Sequence, residues 1–203
     1  MKPSREETRI RILEATIKMF NEKSLKFTMD DIAAELSISK KTIYTFFRSK
    51  EELFFAVADH CFDQVKEAER EVLEDGSLGT LDRLRALLGV LPNRYQEIDL
   101  RQLYILRDKY PETFRQVEKR LSTDWEPTIA LIEQGIREEV IRPISIPLFK
   151  IIYEAAVEQF FQRDVLIRAG LSYQEGLTQV VDILVDGIAR KGDGAGGSGR
   201  NTK

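Results

Sequence analysis

The chain has 203 residues, 42% of them hydrophobic and 32% charged, with a net charge of −3. This balance suits one or two small packed domains, and it excludes wholesale disorder and the uniformly basic electrostatics of a histone-like protein. One Cys (Cys61) excludes an internal disulfide framework and a multi-cysteine metal site, and one His (His60) excludes a His-rich one, so no metal and no cofactor are expected.

No apolar run reaches the about 18 residues of a membrane span, and no signal-type segment follows Met1. The expected compartment is the cytoplasm, with no membrane partner. Apolar residues recur at helical spacing almost throughout, and no stretch alternates with period two long enough to insist on a strand. Ser4 with Glu7 opens a helix over 4–21, with Ile10, Leu13, Ile17 and Phe20 on one face. Thr28 with Asp31 opens 28–36, and a short helix over 39–46 follows. Ser49 with Glu52 opens 49–75, striped by Leu53, Val57, Cys61 and Val65. Further helices are expected over 78–95, 98–109, 111–139, 146–168 and 172–190. Pro127 should kink or split the third of these, because proline removes an amide donor. Residues 191–203 are glycine-rich and read as a flexible tail. The sum is an all-α chain of about nine helices.

The link Leu36-Ser37-Ile38-Ser39 is long enough only for a tight turn between crossed helices, which is the layout of a helix–turn–helix. In the helix after it, Ile43 and Phe47 face inward and leave Lys40, Lys41, Thr42, Tyr44 and Thr45 around the other faces. Two lysines in a first helical turn oppose the macrodipole, and nearby phosphates would relieve that opposition. Ser39 can cap the helix and leave amides for a phosphate. Charge is partitioned the same way: residues 1–50 hold 11 Lys and Arg against 7 Asp and Glu (net +4), while 51–203 hold 20 against 27 (net −7). The basic excess sits where DNA would be read.

Residues 9–57 resemble the DNA-binding domain of the TetR family of bacterial transcriptional regulators. The resemblance is carried by Arg11-Ile12-Leu13-Glu14-Ala15, Phe27-Thr28-Met29-Asp30-Asp31-Ile32-Ala33 and, most specifically, the run from Ile38 to Leu53. Ser24 and Ser37 stand where that family usually has Gly, and Phe46 where it usually has His or Tyr. The resemblance implies that residues 1–50 form the reading domain, with recognition helix 39–46. It implies phosphate contacts from Thr28, Tyr44 and Lys50, and base-edge or methyl contacts from Lys40, Lys41, Thr42 and Phe46. Ser39 and Thr45 complete the expected DNA-facing set.

Residues 51–190 then correspond to a ligand-binding and dimerisation domain. Leu148, Ile152, Ala155 and Gln159 on one helix, and Leu177, Val181, Leu184 and Ile188 on the next, have the spacing of a homodimer interface. His60, Phe62, Tyr95, Tyr104, Arg107, Trp125 and Ile129 are candidate pocket residues. Each has a plainer reading as core, and for Arg107 as an ion pair with Asp108 or Glu112. No nucleophile, acid–base pair or nucleotide-binding loop is recognisable, so an enzyme is not expected. The functional expectation is a DNA-binding regulator, a repressor of a palindromic operator, controlled by an unknown small-molecule effector. The alternative is a member of the same family without such a ligand, controlled by a protein partner.

Overall fold

The computed structural model describes residues 3–91, 107–162 and 164–190. Ten α-helices are described: α1 (Arg5–Lys23), α2 (Met29–Leu36), α3 (Lys40–Tyr44), α4 (Lys50–Glu74), α5 (Thr80–Leu88), α6 (Pro111–Leu121), α7 (Glu126–Arg137), α8 (Ile146–Gln162), α9 (Val165–Ala169) and α10 (Tyr173–Ile188). The described fold is all-α, with one 3-10 turn at Ser24–Lys26 and one antiparallel bridge between Ile141 and Ala189.

Local chemistry accounts for most boundaries. Ser4, Thr28 and Ser172 each accept an amide bond from the residue three on, whose carboxylate accepts from the capping residue's amide in return. Ser49 caps α4 through the Glu52 amide. Pro127 splits the expected 111–139 helix: α6 ends at Leu121, and α7 restarts with Pro127 in its first turn, where its missing N–H matters least. The expected 146–168 helix is likewise divided into α8 and α9. Of the expected 98–109 helix, residues 107–109 are described and helical, and 98–106 lie outside the described residues, as do 92–95 of the helix before it.

Two apolar cores organise these helices. The first joins α1, α2, α3 and the start of α4 around Ile12, Leu13, Ile32, Ile43 and Leu53, all fully enclosed. Phe54 lies at its edge, with Phe20 and Phe27 each at 5.8 Å and Tyr110 at 5.3 Å between ring centres. Of the face expected on α1, Leu13, Ile17 and Phe20 are buried and Ile10 is exposed. The second core, in the body, gathers α5, α7, α8 and α10 around Leu84, Ile132, Val157, Val181 and Val185. α4 packs against α1, α5 and α6, so it belongs to both halves.

The expected dimer stripe on α10 is corrected here. Leu177, Val181 and Ile188 are buried in the body core and Leu184 packs against it, so that face is already covered from within the chain. A hydrophobic stripe says that a face is buried, not against what. The outward side of α10 carries Ile183 instead, 72% exposed. On α8, Leu148, Ile152 and Ala155 of the expected row are exposed and Gln159 is half-buried, and Ile151, outside that row, is exposed beside them.

Candidate nucleic-acid interface and cavity

α2 ends on Ser37 in the left-handed region (φ 53, ψ 41), and its amide donates to the carbonyls of Ala33 and Ala34. This is the conformation a glycine would adopt freely, taken here by a residue with a Cβ. Ser24, at the end of α1, is also left-handed in φ (57), with ψ −146. After Ser37 the chain turns within two residues, and Ser39 caps α3 by accepting from the Thr42 amide at 3.0 Å. Ser39 and Thr42 also share a 2.8 Å hydroxyl contact, and the Thr45 hydroxyl donates to the Thr42 carbonyl at 2.6 Å.

α3 anchors itself by Ile43, which is fully buried, with Phe47 just beyond it. Lys40, Lys41, Tyr44 and Thr45 are exposed, Tyr44 by 44%. Lys40 donates to Asp30 at 2.6 Å, and that carboxylate holds its ammonium pKa above the usual lysine value. The pair is solvent-exposed, so it is weak and readily exchanged for a phosphate. Phe46 is half-buried against the head core, with the Arg5 guanidinium 5.6 Å from its ring centre. Thr28 is exposed; its amide and hydroxyl both donate to Asp31 at 2.7 Å, which holds the Asp31 carboxyl below its ordinary range.

Lys50 departs from expectation. Its ammonium donates to the carbonyls of Leu25 (2.9 Å) and Phe27, and lies 3.9 Å from the centre of the Phe27 ring. Burial pushes its pKa below the ordinary lysine value, with Lys109 adding to the effect. In this conformation the charge faces the turn between α1 and α2 rather than solvent. The sequence shows the charge but not where its stem folds.

Behind the head lies a cavity of about 240 Å³. Its wall runs from Ile17, Phe20 and Asn21 on α1, along the Val57, Cys61 and Val65 stripe of α4, to Tyr153 on α8 and Tyr173 and Leu177 on α10. Among the expected pocket residues, Phe62 and Trp125 line it. His60 does not: its Nε2 lies 2.8 Å from Glu14 Oε1, which ties α4 to α1. Ile129 packs against the body core. Arg107 makes the expected alternative ion pair with Asp108 at 3.0 Å. Tyr95 and Tyr104 lie outside the described residues. The α1 wall and the polar residues Lys66 and Arg120 were not foreseen, because spacing marks an apolar face without telling core from cavity.

Residues 12–57 match the family model of bacterial regulatory proteins, tetR family. This N-terminal segment is therefore similar to the corresponding segment of TetR-family transcriptional regulators. The chain is 28% identical over 178 residues to the uncharacterized HTH-type transcriptional regulator YvaF of Bacillus subtilis, covering 88% of this chain and 94% of that one. Two solved TetR-family regulators share its fold. The one from Cytophaga hutchinsonii superposes with a TM-score of 0.66 at 20% identity, over 95% of this chain and 100% of that one. The one from Thermobifida fusca gives 0.64 at 23%, over 90% and 99%. The helix–turn–helix at residues 29–44 lies inside the matched segment, and the body core around Leu84 and Val181 lies outside it.

Proposed function

We infer that this chain is a TetR-family regulator, a homodimeric repressor of a roughly palindromic operator, released by a small molecule held in the cavity. The carrying observation is the composition of the cavity wall, in which α1 of the reading head and six further helices (α4, α5, α6, α7, α8 and α10) stand round one void. A ligand there touches both halves, and a preference for one tilt of α4 becomes a preference for one separation of the two heads. A protein-controlled member of the family needs no such void, so the cavity favours the small-molecule reading.

Dimerisation uses the outward faces of α8 and α10, where Leu148, Ile151, Ile152 and Ile183 present apolar surface. Lys41 reads base edges and Tyr44 holds a phosphate. The cytoplasm is the compartment in which such a reader meets its DNA.

The test is operator selection from random duplexes, followed by affinity measurements over a range of salt. Tyr44→Ala should weaken binding to every sequence and lower the salt slope by about 1, whereas Lys41→Ala should change which bases are preferred. Lys50→Met should lower affinity while leaving the salt slope alone, because the ammonium orients the turn at Leu25–Phe27 instead of neutralising a phosphate. Ile152→Asp should halve the sedimenting mass. An unchanged mass places the interface elsewhere.

A further inference from the structure

We propose that the cavity takes a small amphipathic carboxylate, its apolar chain against the aromatic wall and its anionic head between Arg120 and Lys66. This rests on the reading of the cavity as the effector site. Size comes first. At about 30 Å³ per water-sized group, 240 Å³ holds roughly eight such groups, and it exceeds the about 150 Å³ cavity that admits benzene. Most of the wall is Phe, Val, Leu and Trp, which demands a largely apolar occupant.

The head group follows from counting donors and acceptors. Tyr153 is spent: its hydroxyl donates to the Leu88 carbonyl at 2.8 Å, and burial raises its pKa, so it keeps its proton. The Trp125 ring nitrogen donates to the Leu121 carbonyl at 3.4 Å. Arg120 is different. A guanidinium carries five N–H donors. One bond reaches Asp63 at 2.7 Å, and Asp59 stands off at 3.9 Å. Neither carboxylate lines the cavity, whereas Arg120 does. The Arg120 side chain is 23% exposed and that of Asp63 66%, so the cation is the more buried partner of the pair. Its plane also rests 5.6 Å from the Phe62 ring centre, which fixes the fork. Lys66 joins it from α4, donating to Glu69 at 2.8 Å and to the Asp124 carbonyl at 3.4 Å.

Two cations thus offer donors at one end of an apolar void, and a carboxylate matches the guanidinium fork. Glu69 offsets the charge of Lys66, and Asp124 is exposed, so selectivity for an anionic head rests chiefly on Arg120, whose counterions lie off the cavity wall, with Lys66 as an added donor.

Trp125 supplies the readout, because it is the sole tryptophan of the chain and lies on the wall. The full-length protein is titrated with octanoate, octan-1-ol and octylamine while Trp125 emission is followed. Octanoate should bind at least tenfold tighter than octanol. Arg120→Gln should erase that preference and Lys66→Gln weaken it, both leaving octanol binding unchanged. Asp63 is exposed, so Arg120→Gln leaves no buried charge unpaired. Circular dichroism checks that each variant is folded. If octanol or octylamine equals or exceeds octanoate in moving Trp125, the carboxylate assignment is overturned and the cavity stands as a site for another class. If none of the three moves Trp125 emission, the effector reading of the cavity falls with it.

Discussion

In the reading head, Ile12, Leu13, Ile32 and Ile43 are enclosed on all sides by α1, α2, α3 and the start of α4. In the body, side chains of the same kinds on α4, α8 and α10 stand round a cavity of about 240 Å³. Both regions are built from amphipathic helices, and they differ in whether the apolar faces close on one another. A closed core fixes the mutual angle of three short helices, which a reader of base edges requires. An open one leaves α4 a face whose partner is not yet chosen.

Substitutions that exchange the two conditions test this contrast, and the largest effect belongs to the joint between them. Phe54→Ala removes a ring packed against Phe20, Phe27 and Tyr110 and should cost about 3–5 kcal/mol in urea unfolding. The next is a pair. Ala33→Leu overfills the closed head and should cost about 1–3 kcal/mol, whereas Ala58→Leu points extra methyl groups at the void and should cost roughly nothing. Equal costs at the two sites would mean that the body is as tightly closed as the head.

Smaller effects refine the head alone. Ser24→Gly and Ser37→Gly relieve two left-handed residues and should raise stability, by about 1 kcal/mol at Ser24 and roughly 0.5 kcal/mol at Ser37. The smallest is a pH effect. Hydrogen bonds from Thr28 depress the Asp31 pKa in the folded state. Its contribution is therefore present above the unfolded carboxyl value and is lost as pH falls through the folded one. Asp31→Asn should remove that contribution at neutral pH and flatten that part of the acid limb, so that the two stability curves converge at low pH.

The same contrast explains what could be read from sequence. The head was legible because its signals are local: Thr28 with Asp31, the Ser37 turn and the Ile38–Leu53 run each fix geometry within a few residues. Pro127 was legible for the same reason. The α10 stripe was misassigned because Leu177 and Val181 look alike whether a partner copy or α5 covers them. Lys50 was misplaced because its charge is visible in sequence and its two carbonyl partners, more than twenty positions back, are not. The cavity depends on α1 and α10 lining one void from almost opposite ends of the chain, which no short pattern encodes.

The presence of Ile17, Phe20 and Asn21 in the cavity wall has a consequence for how such a regulator changes over generations. A substitution at Phe20 that adapts the void to a new effector also alters the helix that carries the reading head, so recognition of the chemical signal and grip on the operator drift together. Substitutions at Tyr153 or Tyr173, on the far wall, retune the signal alone. Lineages that switch effector while keeping their operator should therefore accumulate changes on the body side of the cavity and hold the α1 side fixed.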